Sequence, residues 1–250
     1  MYQATWSHCV SVQYVERLSC QNLILATLEQ SVDEFRVPFY LSNAPEIDYF
    51  TGRESIMTSM KQTLLSVFKA QQRKIVVLHG LGGMGKTQSA IHFAWQHQQD
   101  FTAVLWLNAK DEDSLRQSFQ EVATRLPKGA VPQTILEDTQ STAGLQKLVE
   151  TVKEWLAQPT NKQWLLIFDN HDNPNIQENK DKLAYDIQTY LPKASHGSVI
   201  LTTRWASLKI GTMLEITKLS NSLDSLHILV RTSGRNDLGE GRLRQLLFRV

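Results

Sequence analysis

The run Gly80-Leu81-Gly82-Gly83-Met84-Gly85-Lys86-Thr87 constrains this chain more than any other stretch, because it fills every fixed position of the pattern G-x-x-x-x-G-K-[ST]. Lys74 to His79 precedes it as a short apolar, β-branched run that reads as a buried parallel strand. Thr87 to Trp95 follows, with Ala90, Ile91, Ala94 and Trp95 on one helical stripe. Strand, glycine-rich loop and helix in that order form the context in which the pattern marks a phosphate-binding loop, and they point to an α/β fold with parallel strands.

The residue types follow from the chemistry of a polyphosphate. Gly80, Gly82, Gly83 and Gly85, with Met84 between them, let the backbone come close and turn successive N–H groups inward at a helix N-terminus whose dipole favours anions. Lys86 adds a mobile positive charge at the β/γ-phosphates, and the Thr87 hydroxyl is a candidate Mg²⁺ ligand. Trp164-Leu165-Leu166-Ile167-Phe168-Asp169 is an apolar run closed by an acid, which describes a buried strand that delivers a carboxylate at its C-terminal edge, where ligands sit in open α/β sheets. In this Walker B arrangement Asp169 holds Mg²⁺ through its water shell; the same residue also fits a simple loop cap. Ser198 to Thr203 reads as a further strand, after which Arg204 either reaches a terminal phosphate or is a surface arginine. Upstream, Phe50-Thr51-Gly52-Arg53-Glu54 is a turn whose Gly52 lets the backbone approach a flat ring and whose Arg53 can stack or donate there; it also fits a helix start with a solvated Arg53.

Length and charge narrow the setting. The 250 residues accommodate one large α/β domain with an N-terminal extension, whereas two domains of ordinary size would be tight. A net charge of +1 gives no electrostatic case for nucleic acid or an acidic membrane as partner. Cys9 and Cys20 are too few and too local for a disulfide framework, and no Cys/His cluster suggests zinc, so the chain reads as reduced and cytoplasmic. Its first residues lack a basic n-region and a long apolar h-region, and no run approaches the ~18 apolar residues of a membrane span.

The remaining periodicity is coarser. Residues 1–44 read as a helical leader or linker, with Val12, Val15, Leu18, Leu23, Leu25 and Leu28 unevenly spaced and Val37 to Pro45 extended. Ile56, Met60, Leu64, Val67 and Phe68 share a helical face; Ala103 to Ala109 reads as the second strand; Leu115, Phe119, Val122, Ala123 and Leu126 make the next helix. The stretch from Pro127 to Ser141 is loop-like, a helix carries Leu145 to Leu156, and Leu183, Ile187 and Leu191 suggest another. Met213 to Thr217 predicts a short fifth strand, and Leu223, Leu226, Leu229 and Val230 a final helix. Residues 45–233 are thus the expected nucleotide-binding domain and 234–250 a polar tail, whose arginines, with Arg231, read as solvated.

Together Phe50 to Glu54, Gly80 to Thr87, Val104 to Ala109, Trp164 to Asn170 and Gly197 to Arg204 resemble the NB-ARC module of STAND-type signalling ATPases, most closely the versions in fungal NOD-like receptors. The resemblance implies a three-layer α/β/α P-loop NTPase fold, a five-stranded parallel sheet in the order 2-3-4-1-5, Phe50, Gly52 and Arg53 beside adenine, and Arg204 as a sensor of the terminal phosphate. It implies ADP or ATP with Mg²⁺ as cofactors, a cytoplasmic signalling switch of the innate-immunity type, and self-association or signalling proteins as partners. Lys86, Asp169 and Arg204 are the residues that would act in turnover.

Two departures qualify that picture. Asn170 stands where such modules often carry a second acid, and an amide is no general base, so hydrolysis is expected to be slow or absent, with Asp172 the nearest other carboxylate. Nothing after Val230 matches the helical segment, winged helix and sensor repeats of the family, so the expectation is a truncated module in which binding survives better than switching. An active ATPase or small-molecule kinase using the same loop is the alternative, and an inert fragment retained as a partner surface a third.

Overall fold

The structure, a computed structural model, describes residues 34–41, 44, 50–66, 72–219, 221, 224, 225, 228 and 230. The leader positions Val12 to Leu28, the helix positions Val67 and Phe68, Leu223, Leu226, Leu229 and the arginines from Arg231 onward lie outside the described residues.

Five strands form the centre: β1 (Lys74–His79), β2 (Ala103–Asn108), β3 (Trp164–Asp169), β4 (Ser198–Thr203) and β5 (Thr212–Glu215). They pair in the order β2-β3-β4-β1-β5, and every pairing is parallel. Their near-continuous apolar sequences suit a sheet covered on both faces, since a strand buried on both sides has no polar face to present. The pleat then divides each run. Val76, Leu78, Val104, Trp106, Leu165 and Ile167 face a core layer that also holds Met60 and Leu64 of α1 (Glu54–Leu64) and Ala90, Ile91, Phe93 and Ala94 of α2 (Lys86–Gln96). Val77, Leu105, Leu107, Leu166 and Phe168 face the opposite layer, with Leu115, Phe119 and Val122 of α3 (Glu112–Ala123) and Leu148, Val149 and Val152 of α5 (Thr142–Leu156). The result is a three-layer α/β/α sandwich with the P-loop NTPase strand order.

Several readings of the sequence are corrected by the packing. Trp95 is 56% exposed, its ring edge-to-face with Phe39 at 4.8 Å between centroids, while Phe93 takes the buried place in the α2 stripe. The loop after Pro127 contains a short helix, α4 (Gln133–Glu137), that buries Ile135. Leu183 is 80% exposed, and only a 3₁₀ turn, Ile187–Tyr190, stands where a longer helix is expected. Local side-chain acceptors account for this: Asn179 takes the Asp181 N–H at 3.1 Å, Asp181 takes the Leu183 N–H at 2.9 Å and Asp186 takes the Gln188 N–H at 2.9 Å, offering the backbone turns in place of a helix. Phe35 and Val37, read as leader, belong to the core: the Val37 N–H donates to Thr102 O at 2.8 Å and Phe35 packs on Trp155.

The helix starts follow ordinary capping rules away from the phosphate loop. Asp111 caps α3 by accepting the Ser114 N–H at 2.8 Å, and Ser141 caps α5 through the Gly144 N–H at 2.9 Å. Asp111→Ala is expected to lower stability by about 1 kcal/mol in chemical denaturation, the usual effect of removing such an acceptor; an unchanged midpoint would show that the bond is idle.

Candidate functional site

The C-terminal ends of β1, β3 and β4 lie side by side at one edge of the sheet, and the loop from Gly80 to Gly85 lies over that edge before α2 begins. Its first glycine is fixed by contact: a Cβ on Gly80 would stand 2.4 Å from Ile216 O, so the loop passes directly against the backbone leaving β5. At the other end Gly85, with φ 86°, is the N-cap of α2 and supplies no side-chain cap. Unlike α3 and α5, this helix leaves its first N–H groups without a side-chain acceptor, which is the condition for binding an anion there.

Lys86 folds back over the loop, donating from Nζ to Gly80 O at 2.8 Å and Leu81 O at 2.9 Å, so that its ammonium sits in the loop's own curve with a third N–H to spare. Burial pushes its pKa down and the nearby Arg204 adds to this, while Asp172 and Asp169 oppose it. At the second residue of the helix, Thr87 Oγ1 donates to Asp169 Oδ1 at 2.8 Å. Thr202 Oγ1 donates to the same carboxylate oxygen at 2.7 Å and itself accepts the Asn170 N–H at 2.8 Å. Burial raises the pKa of Asp169, and the two hydroxyl bonds offset part of that.

The strand register explains why this trio meets. Phe168 pairs with Leu201, so the next residues, Asp169 and Thr202, come out side by side over the start of α2. Beyond Asp169 the chain turns sharply, with Asn170 exposed at φ 68° and His171 fully buried against the Tyr185 ring at 4.8 Å. Burial pushes the His171 pKa down to about 4, leaving it neutral near pH 7. Arg204 follows β4 and faces the loop: a Cβ on Gly82 would lie 3.8 Å from its Cζ and Nη2.

Arg53 closes the other side. Its Nη2 donates to Met84 O at 2.8 Å and to Thr217 O at 2.7 Å, joining the phosphate loop to the segment that leaves β5. Phe50 and Gly52 stand further along α2, on a cavity of about 390 Å³ that Met57, His92 and Gln96 also line. The Phe50 ring lies flat on His92, with 4.0 Å between centroids and 10° between planes. Lys86 and His92 are separated by about 9 Å of helix axis at ~1.5 Å per residue.

The NB-ARC domain model matches residues 53–226, well over half of the chain. The chain belongs to the NB-ARC family. This NB-ARC chain is also 26% identical, over 235 residues and 90% of its length, to a nucleotide-binding leucine-rich repeat (NLR)-like protein of Hyaloscypha variabilis, and it spans 22% of that relative's length. In fold it is similar to the crystal structure of Cdc6p from Pyrobaculum aerophilum, with a TM-score of 0.51 and 14% identity over 85% of this chain and 56% of that one.

Within the NB-ARC site the structure gathers Gly80 to Thr87, Asp169 and Arg204 at one edge, places Arg53 on their border and sets Phe50 and Gly52 apart on the neighbouring cavity. Thr202 is the residue that the sequence conceals. It reads as one more strand position, and only the pairing of β4 with β3 shows that its hydroxyl orients Asp169. Thr202→Val keeps the shape, removes that donor and leaves the Asn170 N–H without its acceptor. The expected cost is about 2 kcal/mol in urea denaturation, from the loss of two partly buried bonds, one of them to a carboxylate; a loss below ~0.5 kcal/mol would contradict a structural role for the hydroxyl.

Proposed function

We propose that this NB-ARC chain binds ADP or ATP with Mg²⁺ across the phosphate loop and acts as a nucleotide-dependent switch of a cytoplasmic, NLR-like signalling protein, with slow or absent hydrolysis. The observation that carries the reading is the 2.8 Å approach of the Thr87 hydroxyl to the Asp169 carboxylate directly below the loop that Lys86 occupies. A hydroxyl and a carboxylate are hard oxygen donors suited to Mg²⁺, and since the described residues hold no cluster of three or more His, Cys, Asp or Glu, phosphate oxygens and water would complete its coordination. When bound, Mg²⁺ would offset the charge of the β- and γ-phosphates. The cavity beside Phe50 and His92 lies a nucleoside's length from Lys86 and offers an aromatic face and the Gln96 amide to a purine.

Slow turnover is the expectation from Asn170 and Asp172, which follow Asp169 in the chain. Asn170 carries an amide, and both carboxylate oxygens of Asp172 are engaged by Arg204, so neither side chain is placed to accept a proton from water. Among the described residues no helix is long and apolar enough to cross a membrane. As a switch, the domain shifts an assembly equilibrium only by the difference in nucleotide affinity between its states. Self-association or binding of signalling proteins is the proposed output of that switch.

Calorimetric titration of the chain with ADP, ATP and GTP in Mg²⁺ tests the reading. Saturable binding of both adenine nucleotides, with GTP weaker and phosphate release negligible over the same hours, is the expected result. Binding that fails to saturate at millimolar nucleotide would remove the site, and steady phosphate release would favour the turnover enzyme instead.

A further inference from the structure

The nucleotide reading assigns no role to Asp172, yet no other side chain at the site is so fully committed to one neighbour. Its Oδ1 accepts the Arg204 backbone N–H at 2.7 Å, and its Oδ2 pairs with Arg204 Nε at 2.8 Å. The carboxylate is itself held. The Asp172 N–H donates to Asn170 O at 2.8 Å, closing a three-residue turn, and the Asp172 carbonyl accepts Trp205 Nε1 at 2.9 Å. His171, at the middle of that turn, is buried and anchors it.

Arg204 is 64% exposed, so an isolated guanidinium there would sample many rotamers. A surface ion pair adds little to stability, which argues against a purely structural purpose. What the pair does fix is direction. A guanidinium is a planar fork, and taking Nε and the backbone N–H on one carboxylate leaves Nη1 and Nη2 on the far edge. The guanidinium lies against the phosphate loop, with its Cζ and Nη2 3.8 Å and its Nε 3.9 Å from where a Gly82 Cβ would be, and neither Nη hydrogen-bonds a partner among the described residues.

We infer that Asp172 is a positioning residue for Arg204, turning the free edge of its guanidinium onto the terminal phosphate of a nucleoside triphosphate and so setting the preference for ATP over ADP. This rests on the nucleotide site proposed above. Asp172 is then a positioner of charge and not a base, and its effect on ATP exists only through Arg204. A carboxylate that merely sat near the phosphates would repel them whichever residue stood at position 204.

A double-mutant cycle read as Mg-ATP and Mg-ADP affinity separates these roles. Arg204→Ala is expected to weaken ATP by about tenfold, the effect of losing a charge-assisted bond, and to leave ADP within about twofold. Asp172→Ala should weaken ATP by about fivefold with ADP again nearly unchanged, and in the Arg204→Ala background it should cost nothing further. Asp172→Asn keeps an acceptor for the backbone N–H and should restore part of the loss; it carries the test if the alanine variant melts early. Equal losses for ATP in both backgrounds, tighter ATP binding in Asp172→Ala, or a matching loss of ADP would each overturn the inference while leaving the site intact. Unchanged affinity for both nucleotides in Lys86→Ala would instead show that the site itself is wrong, and the positioning role would fall with it.

Discussion

Replacing Lys86 by alanine is expected to weaken ADP and ATP by about a hundredfold while moving the melting temperature by only a few degrees. The reason lies in what the ammonium touches. In the structure it donates to two carbonyls of its own loop, Gly80 O and Leu81 O, at 2.8 and 2.9 Å. Such bonds in a half-exposed loop contribute little net stability, because water replaces them when the side chain is cut. Against a polyphosphate the same group supplies charge-assisted donors in a place where burial has already removed part of its hydration, and each such bond is worth about 1.5–3 kcal/mol. Binding and folding therefore separate in this variant. Calorimetry and thermal melting on the same preparation check it: a tenfold or smaller loss of affinity would move the phosphates away from this loop, and a collapse of the melting temperature would make Lys86 a structural residue.

Gly197→Ala is expected to be strongly destabilising, although it adds only a methyl group. Gly197 has φ 84° just before β4, and a Cβ there would stand 2.2 to 2.4 Å from Cζ2, Cε2 and Cη2 of Trp164. The indole cannot give way. Trp164 is fully buried, and its Nε1 donates to Leu156 O at 2.8 Å, so moving the ring breaks that bond and opens the core under α5. Left-handed backbone strain of about 1 kcal/mol and overpacking of about 2 kcal/mol together give a loss of ~3 kcal/mol, or about 6–12 °C in melting temperature. Because the strand that Gly197 starts ends in Thr202 and Thr203, with Arg204 next, the variant should also blunt nucleotide affinity at temperatures near its transition. Trp164→Phe removes the colliding ring and should reduce the penalty of Gly197→Ala to less than half; an undiminished penalty in that background would place the strain elsewhere.

The legibility of this molecule follows from where its constraints act. Strands buried on both faces must be apolar throughout, so Trp164 to Phe168 and Val199 to Leu201 declare themselves, and the acid or hydroxyl that ends each run falls at the ligand edge of necessity. Gly80 to Thr87 is legible because its backbone path demands those residues in that order. The strand order 2-3-4-1-5 came from resemblance, not from periodicity, and the sheet has that order. Contacts made across the sheet are hidden, because Thr202 and Asp172 become neighbours of Asp169 and Arg204 only once β3 and β4 pair. The Asn- and Asp-rich stretch from Asn173 to Asp186 misleads for the opposite reason: Leu183, Ile187 and Leu191 mimic a helical stripe, while local side-chain acceptors hold the backbone in turns. Trp95 misleads in the same way, since a large apolar side chain at helical spacing does not say whether Phe39 or the sheet will cover it.

The most direct measurement is a crystal structure of the 250-residue chain grown with saturating Mg²⁺ and ADP. The account predicts the diphosphate on the N–H groups at the start of α2 within reach of Lys86, Mg²⁺ beside Thr87 and Asp169, and the base in the cavity next to Phe50 and His92. Nucleotide bound elsewhere on the molecule, or the Lys86 ammonium still closed on Gly80 and Leu81 with no phosphate against it, would contradict it.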